Sequence, residues 1–357
     1  MSKSITGIIC IIEALQKILV CEFITGGGLG DKLLPESLIN EGVLMRDALL
    51  RDLSELHQYQ LISMHDARLN PSVYTKNNLV VGASNFKKVF KKALKQVDYV
   101  WLIAPETGGA LLALTELCLA VEEKEDGPIL LGCGYNSTLA GTSKTLSYEA
   151  MQVANIVTLP VYSGDDLIQQ VFFDEVLQLD VRKWVAKPED GAGCVGLKIF
   201  EDLLELRDWL KQDNQYLHYF AQPFQPGISA SLSMLCREGK AWLLSCNQQH
   251  IHIKGSQITL TGITVNGLLT YWQRFETLAR KIANMLPDAL GYIGVDVLID
   301  AENDKIYVID INPRLTSSYA GMREATGHNP AKMILDCILD SHFKIPVIQK
   351  NVVEITL

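Results

Sequence analysis

Two apolar runs, Ile293-Gly-Val-Asp-Val-Leu-Ile-Asp300 and Lys305-Ile-Tyr-Val-Ile-Asp-Ile-Asn-Pro-Arg314, flank the polar turn Ala-Glu-Asn-Asp. Such runs around a short polar turn are the signal of an antiparallel hairpin. A turn centred between residues 302 and 303 brings Asp296 nearly opposite Asp310, and strand alternation puts Asn312 on the face of Asp310. Directly opposed residues have Cβ atoms roughly 4.5 to 5.5 Å apart, and like charges there destabilise the pair. Two acids in otherwise apolar strands therefore need a neutralising partner. A hard divalent cation is one: two carboxylates plus an amide carbonyl, completed by phosphate oxygens, is the pattern of a magnesium–nucleotide site. Asp296, Asp310 and Asn312 are the expected metal ligands, with Mg2+ as the ion and Mn2+ as a substitute. Arg314, two residues past Asn312, is the natural fork for a substrate carboxylate or acyl phosphate.

The rest of the chain divides into two kinds of pattern. From 17 to about 132, short apolar runs alternate with amphipathic helices: strands at 17–23, 60–64, 98–104 and 129–132, helices at 36–56, 85–95 and 110–123. That alternation implies a parallel sheet with helices on both faces, whose ligands sit at the carboxyl ends of strands. Glu22-Phe-Ile-Thr-Gly-Gly-Gly28 and Pro105-Glu-Thr-Gly-Gly109 lie at two such ends. After a glycine-rich connection and a helix from about Ser143 to Asn155, the pattern becomes strands in hairpins from 182 to 312, broken by helices near 201–212 and 271–286. The expected fold class is α/β plus α+β. The leading sixteen residues read as an appendage, such as one extra helix.

Composition narrows the function classes. A 357-residue chain, 48% hydrophobic, can build two or three compact units. The net charge of -9 argues against a nucleic-acid surface, and Lys87, Lys88, Lys91, Lys92 and Lys95 follow helical spacing on a solvated helix face. Eight scattered cysteines without a C-x-x-C pair suit reduced, buried thiols in a cytosol. No run approaches the apolar length of a membrane span. The expected protein is soluble and cytoplasmic, with small molecules as partners, neither nucleic acid nor membrane, and a homodimer left open.

Residues 191–196, Gly-Ala-Gly-Cys-Val-Gly, match G-x-G-x-x-G, but the dinucleotide fingerprint needs a strand before and a helix after. Here strand-like runs stand on both sides, at 182–187 and 195–200, so the glycines form a hairpin tip. A glycine hairpin can lie over phosphates with its backbone N–H groups turned toward them. Lys187, on the strand before it, would reach the same phosphates as a point charge. Lys144, in Gly141-Thr-Ser-Lys-Thr145, lies near a helix N-terminus, where backbone donors favour anions. No glycine directly precedes it, so the P-loop pattern fails. His250 and His252 share a strand face and, without a third ligand in reach, read as exposed sheet histidines.

Lys144, Lys187-Pro188 with Gly191, Gly193 and Gly196, Gln222-Pro-Phe-Gln-Pro-Gly227, Asp296 and Asp310-Ile-Asn-Pro-Arg314, in that order, closely resemble the ATP-grasp superfamily over roughly 140–340. The resemblance implies an ATP-grasp fold with an N-terminal parallel-sheet (pre-ATP-grasp) domain. It divides the chain into a substrate-side α/β domain at 1–140, a lid with the glycine hairpin at 141–225, and a C-terminal subdomain with the metal site at 226–357. It also implies ATP as cofactor. Lys144 and Lys187 would bind its phosphates under the glycines, and Gln222, Pro223, Phe224 and Gln225 would form the hinge against adenine. The metal ligands stay as read above, and Arg314, Lys187 and Lys144 become the catalytic cations. Two departures stand out: many members carry glutamate at the positions of Gln222 and Asp310, and a ribose-binding acid is missing near Ser229.

Within the superfamily, Lys17-Ile-Leu-Val-Cys-Glu-Phe-Ile-Thr-Gly-Gly27, Ala104-Pro-Glu106 and Asn247-Gln-Gln249 resemble the tyramine–glutamate ligase group of methanofuran-type cofactor biosynthesis. That likeness implies phosphorylation of the glutamate γ-carboxylate, then attack by the amine of tyramine or tyrosine. Glu22, Thr25, Glu106, Gln249 and Arg314 would be the substrate contacts. A ligase for another amino acid or dipeptide, and a non-catalytic ATP-binding sensor, are the alternatives.

Overall fold

The computed structural model describes residues 15–123, 127–189 and 196–357. The expected leading helix and the glycines Gly191 and Gly193 lie outside the described residues. The N-terminal unit alternates β1 (Gln16–Glu22), α1 (Glu36–Ser54), β2 (Tyr59–Asp66), β3 (Asn77–Val81), α2 (Phe86–Leu94), β4 (Tyr99–Ile103), α3 (Ala110–Glu122) and β5 (Ile129–Leu130). The strands form a five-stranded sheet in the order β3-β2-β1-β4-β5, parallel throughout. Strand β1 is central, and its Ile18, Leu19, Val20 and Cys21 have no exposed surface. A parallel strand covered on both faces needs such an unbroken apolar run. The opposite holds for β3, an edge strand that begins Asn77-Asn78 and leaves Val80 mostly exposed, so only the short run Leu79-Val80-Val81 announces it.

Helix α1 covers one face of this sheet. Its Leu49, Leu50 and Leu53 are fully buried, and cutting such a leucine to alanine costs about 2–5 kcal/mol. Their cluster also takes in Tyr319, Met322, Ile334 and Leu335 from the C-terminal end of the chain, so the two halves share one core. Helices α2 and α3 cover the other face, around Phe90, Leu94, Leu111 and Cys118. The lysines of α2 are exposed, as their spacing implied.

Helices α4 (Tyr135–Thr142) and α5 (Lys144–Val153) follow without a gap. Ser143 caps α5, its side chain accepting from the Leu146 N–H, which satisfies one of the free donors of the first turn. A lid follows: β6 (Tyr162–Ser163), α6 (Gly164–Ile168), α7 (Gln170–Leu177), β7 (Trp184–Pro188), β8 (Lys198–Phe200), α8 (Leu203–Lys211) and β9 (Tyr219–Pro223), around Phe173, Trp184, Leu206 and Leu210. The body comprises β10 (Ile228–Arg237), β11 (Lys240–Lys254), β12 (Gln257–Val265), α9 (Trp272–Met285), β13 (Gly291–Asp300), β14 (Lys305–Asn312), α10 (Met322–Thr326), α11 (Pro330–Leu339) and β15 (Val353–Thr356).

Lid and body share one sheet, β14-β13-β10-β11-β12-β8-β7-β9-β6, with β15 on β12. Within the hairpin region, residues 240–254 are a single long strand, β11, whose register against β12 shifts between His250 and Ile251. Among the described residues no helix is long and apolar enough to cross a membrane. Six described cysteines are buried free thiols, among them Cys21 and Cys133, and burial pushes these thiols up from their ordinary pKa.

Candidate active site

The β13–β14 hairpin builds the centre of the site. Its pairing runs evenly from Asp300–Lys305 to Val297–Val308 and then shifts, so that Asp296 faces Asp310. The extra residue is Ile309, a one-residue bulge of the kind that re-aims side chains beside active sites. It supplies the single step by which a regular hairpin centred on the turn would miss this pairing. The rung continues across the sheet from Asp296 to Ser231 and from Ser231 to Asn247.

Donors from α5, from β11 and from the end of β14 itself converge on these two acids. Gln249 Nε2 donates to Asp296 Oδ1 at 2.8 Å, and Asn312 Nδ2 to Asp296 Oδ2 at 3.1 Å. Lys144 Nζ pairs with Asp310 Oδ1. The lysine is delivered by close backbone packing: a Cβ on Gly141 would lie 2.6 Å from Pro313 Cδ and 2.9 Å from Ile311 O, so only glycine lets α4 approach the end of β14. Burial opposes the charge of Lys144, but Asp310 outweighs it and the ammonium is held above its ordinary pKa. Burial, reinforced by the charge of Asp310, pushes Asp296 up to about 6. A half-buried, mutually repelling acid pair with the Asn312 amide beside it is a hard-oxygen set that fits a magnesium ion.

Arg314 extends from the end of the hairpin to the N-terminal unit. Its Nε and Nη2 donate to Glu106 Oε1 and Oε2 at 3.0 and 2.7 Å, a bidentate pair in which both side chains are nearly buried. Burial opposes its charge, yet Glu106 keeps the guanidinium above its ordinary range. The fork expected to meet a substrate carboxylate is thus aimed by a carboxylate of the protein, one end of it also lying 3.4 Å from Asn312 Oδ1.

The lid forms the facing wall. Lys187 and Gln222 line the same cavity of about 670 Å³ as Asp296, Asp310, Asn312 and Arg314. Gln222 is 4% exposed; its Nε2 donates to Leu159 O at 3.3 Å, while its Oε1 has no hydrogen-bond partner among the described residues. Pro223, Phe224 and Gln225 continue this wall, the Phe224 N–H donating to Lys183 O at 2.9 Å and Gln225 Nε2 to Asp300 Oδ2 at 3.1 Å. Gly196 has φ of +79°, and a Cβ there would lie 2.9 Å from Pro188 Cγ. His250 and His252 are exposed, with His250 Nε2 bonded to Thr264 Oγ1 at 2.7 Å.

Glu22 and Thr25 are not brought to this cleft. The Glu22 carboxylate accepts from the N–H groups of Ile24 and Thr25 at 3.1 and 2.6 Å and from Thr25 Oγ1 at 2.6 Å, which closes the loop after β1 on itself. Burial pushes its pKa up, against these hydrogen bonds. Sequence reasoning missed Glu41 of α1, which lines the cleft and accepts from Ser317 Oγ. Nothing in a helical stretch marks one glutamate as turned toward a hairpin some 270 residues away. It also missed the hydroxyls of Thr316, Ser317 and Ser318, which line the cleft just past Arg314. Their run, Thr316-Ser-Ser318, was the available signal.

A lid that shares one sheet with the body, an acid hairpin and a parallel N-terminal sheet are the parts of an ATP-grasp protein. The family profile of the ATP-grasp domain matches residues 142–318 and that of the pre ATP-grasp 3 domain residues 59–137. The chain belongs to the ATP-grasp family. It is 25% identical to a tyramine–L-glutamate ligase of Methanocaldococcus jannaschii over 317 residues, 87% of this chain and 86% of that one. A second tyramine–L-glutamate ligase, of Methanocaldococcus fervens, is 26% identical over 311 residues, 86% of this chain and 89% of the other. The fold is shared with the crystal structure of an L-amino acid ligase from Bacillus licheniformis: TM-score 0.66 at 14% identity, covering 90% of this chain and 74% of that one.

Proposed function

We propose that this protein is an ADP-forming ligase that joins the γ-carboxylate of L-glutamate to the amine of tyramine. The observation that carries the reading is the Asp296–Asp310 rung with Lys144 and Arg314 beside it, inside one cavity with the lid. The names of the two relatives support the substrates.

Adenine lies against the hinge at Gln222 to Gln225, where Gln222 Oε1, without a partner among the described residues, accepts from its exocyclic amino group. Lys144 and Lys187 donate to phosphate oxygens as charge spreads over them in the transition state. Asp296, Asp310 and Asn312 would hold magnesium, which would supply further positive charge to the phosphates. An oxygen of the substrate carboxylate attacks the γ-phosphorus as the bond to the β-phosphate oxygen breaks, releasing ADP. Arg314, aimed by Glu106, holds the acyl phosphate through its planar fork. The amine nitrogen then attacks the acyl carbon, the carbon–oxygen bond to phosphate breaks, and the nitrogen's proton leaves with the phosphate. Glu41 offers a carboxylate to the α-amino group of the glutamate. Lid closure shields the acyl phosphate from water.

The test is a screen of amino acids against amines that follows ADP release and identifies products by mass. ADP and phosphate that form only when glutamate and tyramine are both present support the proposal. A different productive pair would keep the chemistry and change the substrates. Release of AMP and pyrophosphate would sink it, and magnesium-dependent ATP binding without turnover on any pair would favour a sensor.

A further inference from the structure

The β11–β12 hairpin carries an apolar track that the chemistry above does not use. Gln249, whose amide holds Asp296, is followed on the same strand face by Ile251 and Ile253. Their cross-strand partners are Ile263, Leu260 and Ile258. All six line the cleft. The track begins at the metal hairpin and runs outward for four residues, about 13 Å. Its outer rungs are not sealed by packing: Ile253 is 48% exposed and Ile251, Ile258 and Leu260 are partly exposed. The alternate residues His252 and Thr259 point to the other face of the sheet and are exposed.

Neither ATP nor the acid accounts for this surface. The hinge that takes adenine is on β9, and the rung Ala221–Ala186–Lys198–Gln257 separates it from β12 by three strand spacings, roughly 14 Å. Phosphates and the glutamate head are charged, and the polar groups at the track are Gln249, held on Asp296, and His250 at its rim, which is bonded to Thr264 Oγ1. An uncharged aryl or alkyl arm matches it, because apolar wall area excluded from water is what favours binding there. We propose that Ile251, Ile253, Ile258 and Leu260 select the amine substrate by seating an aryl-ethyl arm on this track, with its nitrogen at the Gln249 end beside the acyl phosphate. The inference rests on the ligase reading given above.

Hydroxylamine, which has no arm, separates the two. Wild-type protein with ATP, magnesium and glutamate is assayed for γ-glutamyl hydroxamate and, in parallel, for ligation of tyramine. Ile253→Ser and Leu260→Ser are each expected to raise the KM for tyramine and to lower the tyramine-to-hydroxylamine turnover ratio by about tenfold, the scale of a lost hydrophobic pocket contact. Ile253 is half-exposed, so its variant tests the proposal even if the Leu260 variant is destabilised. A ratio unchanged in both variants overturns the track, as does a rise in the KM for ATP in place of that for tyramine. If wild-type protein makes neither hydroxamate nor amide, the ligase reading itself fails and the track falls with it.

Discussion

Two regions of this molecule bury acids in similar apolar settings and use them in opposite ways. In the loop after β1, Glu22 is satisfied by N–H and hydroxyl groups two and three residues away. In the β13–β14 hairpin, Asp296 and Asp310 face each other and draw donors from α5, β11 and the end of β14. A carboxylate bonded to its own loop organises backbone. Carboxylates that repel each other and are held by long-range donors store an electrostatic demand that a cation and phosphates can meet. Burial alone does not separate the two cases, nor does one local bond, since the Ile311 N–H also donates to Asp310 at 3.0 Å; the facing carboxylate and the added long-range donors do.

The comparison can be broken first at the hairpin. Asp310→Asn removes one charge of the opposed pair and leaves the Lys144 ammonium without its carboxylate; it is expected to lower kcat at least ~1,000-fold and to lower the thermal unfolding midpoint, with a single cooperative transition kept. Full activity in that variant would remove the metal assignment. Arg314→Lys keeps the charge and loses the two-pronged contact with Glu106, and steady-state kinetics should show a loss of about 100-fold in kcat. At the loop the expectation reverses. Glu22→Ala leaves the N–H groups of Ile24 and Thr25 without their acceptor and should cost about 1–3 kcal/mol in denaturant unfolding, with kcat/KM of the folded protein little changed. A large drop in kcat/KM for glutamate would instead put Glu22 among the substrate contacts.

The smallest effect concerns Asp66, whose hydrogen bonds from the partly exposed Arg68 hold its pKa below the ordinary value. A depressed carboxylate contributes stability above its unfolded pKa of about 3.9 and loses it as pH falls through the folded value. Arg68→Ala should therefore lower stability slightly at neutral pH, since solvent screens the pair, and the two unfolding curves should converge below that window.

Much of this arrangement was legible in the chain because short-range pattern determines it. The two opposed acids could be placed from a turn and an alternation, and the bulge at Ile309 moved the register by only one residue. The central strands were legible because burial on both faces demands continuous apolar residues. Strand β3 was not, since an edge strand needs no such run. Helix α11 was missed although Asn329 caps it and Pro330 opens it, for its core partners lie on α1, far away in sequence. The same distance hid Glu41. The closing of Glu22 on Thr25 spans only three residues; it was hidden because the path of the loop, and not its composition, decides whether the carboxylate turns to its own backbone or to a ligand.

The central claim is that the acid is activated by taking a phosphoryl group from ATP. Glutamate labelled with oxygen-18 in its carboxylates tests this most directly, with the products of a turnover with tyramine analysed by mass. The account predicts one labelled oxygen in inorganic phosphate, with ADP unlabelled, because the attacking carboxylate oxygen leaves with the phosphoryl group. Label appearing in AMP, or amide forming with none in phosphate, would contradict it.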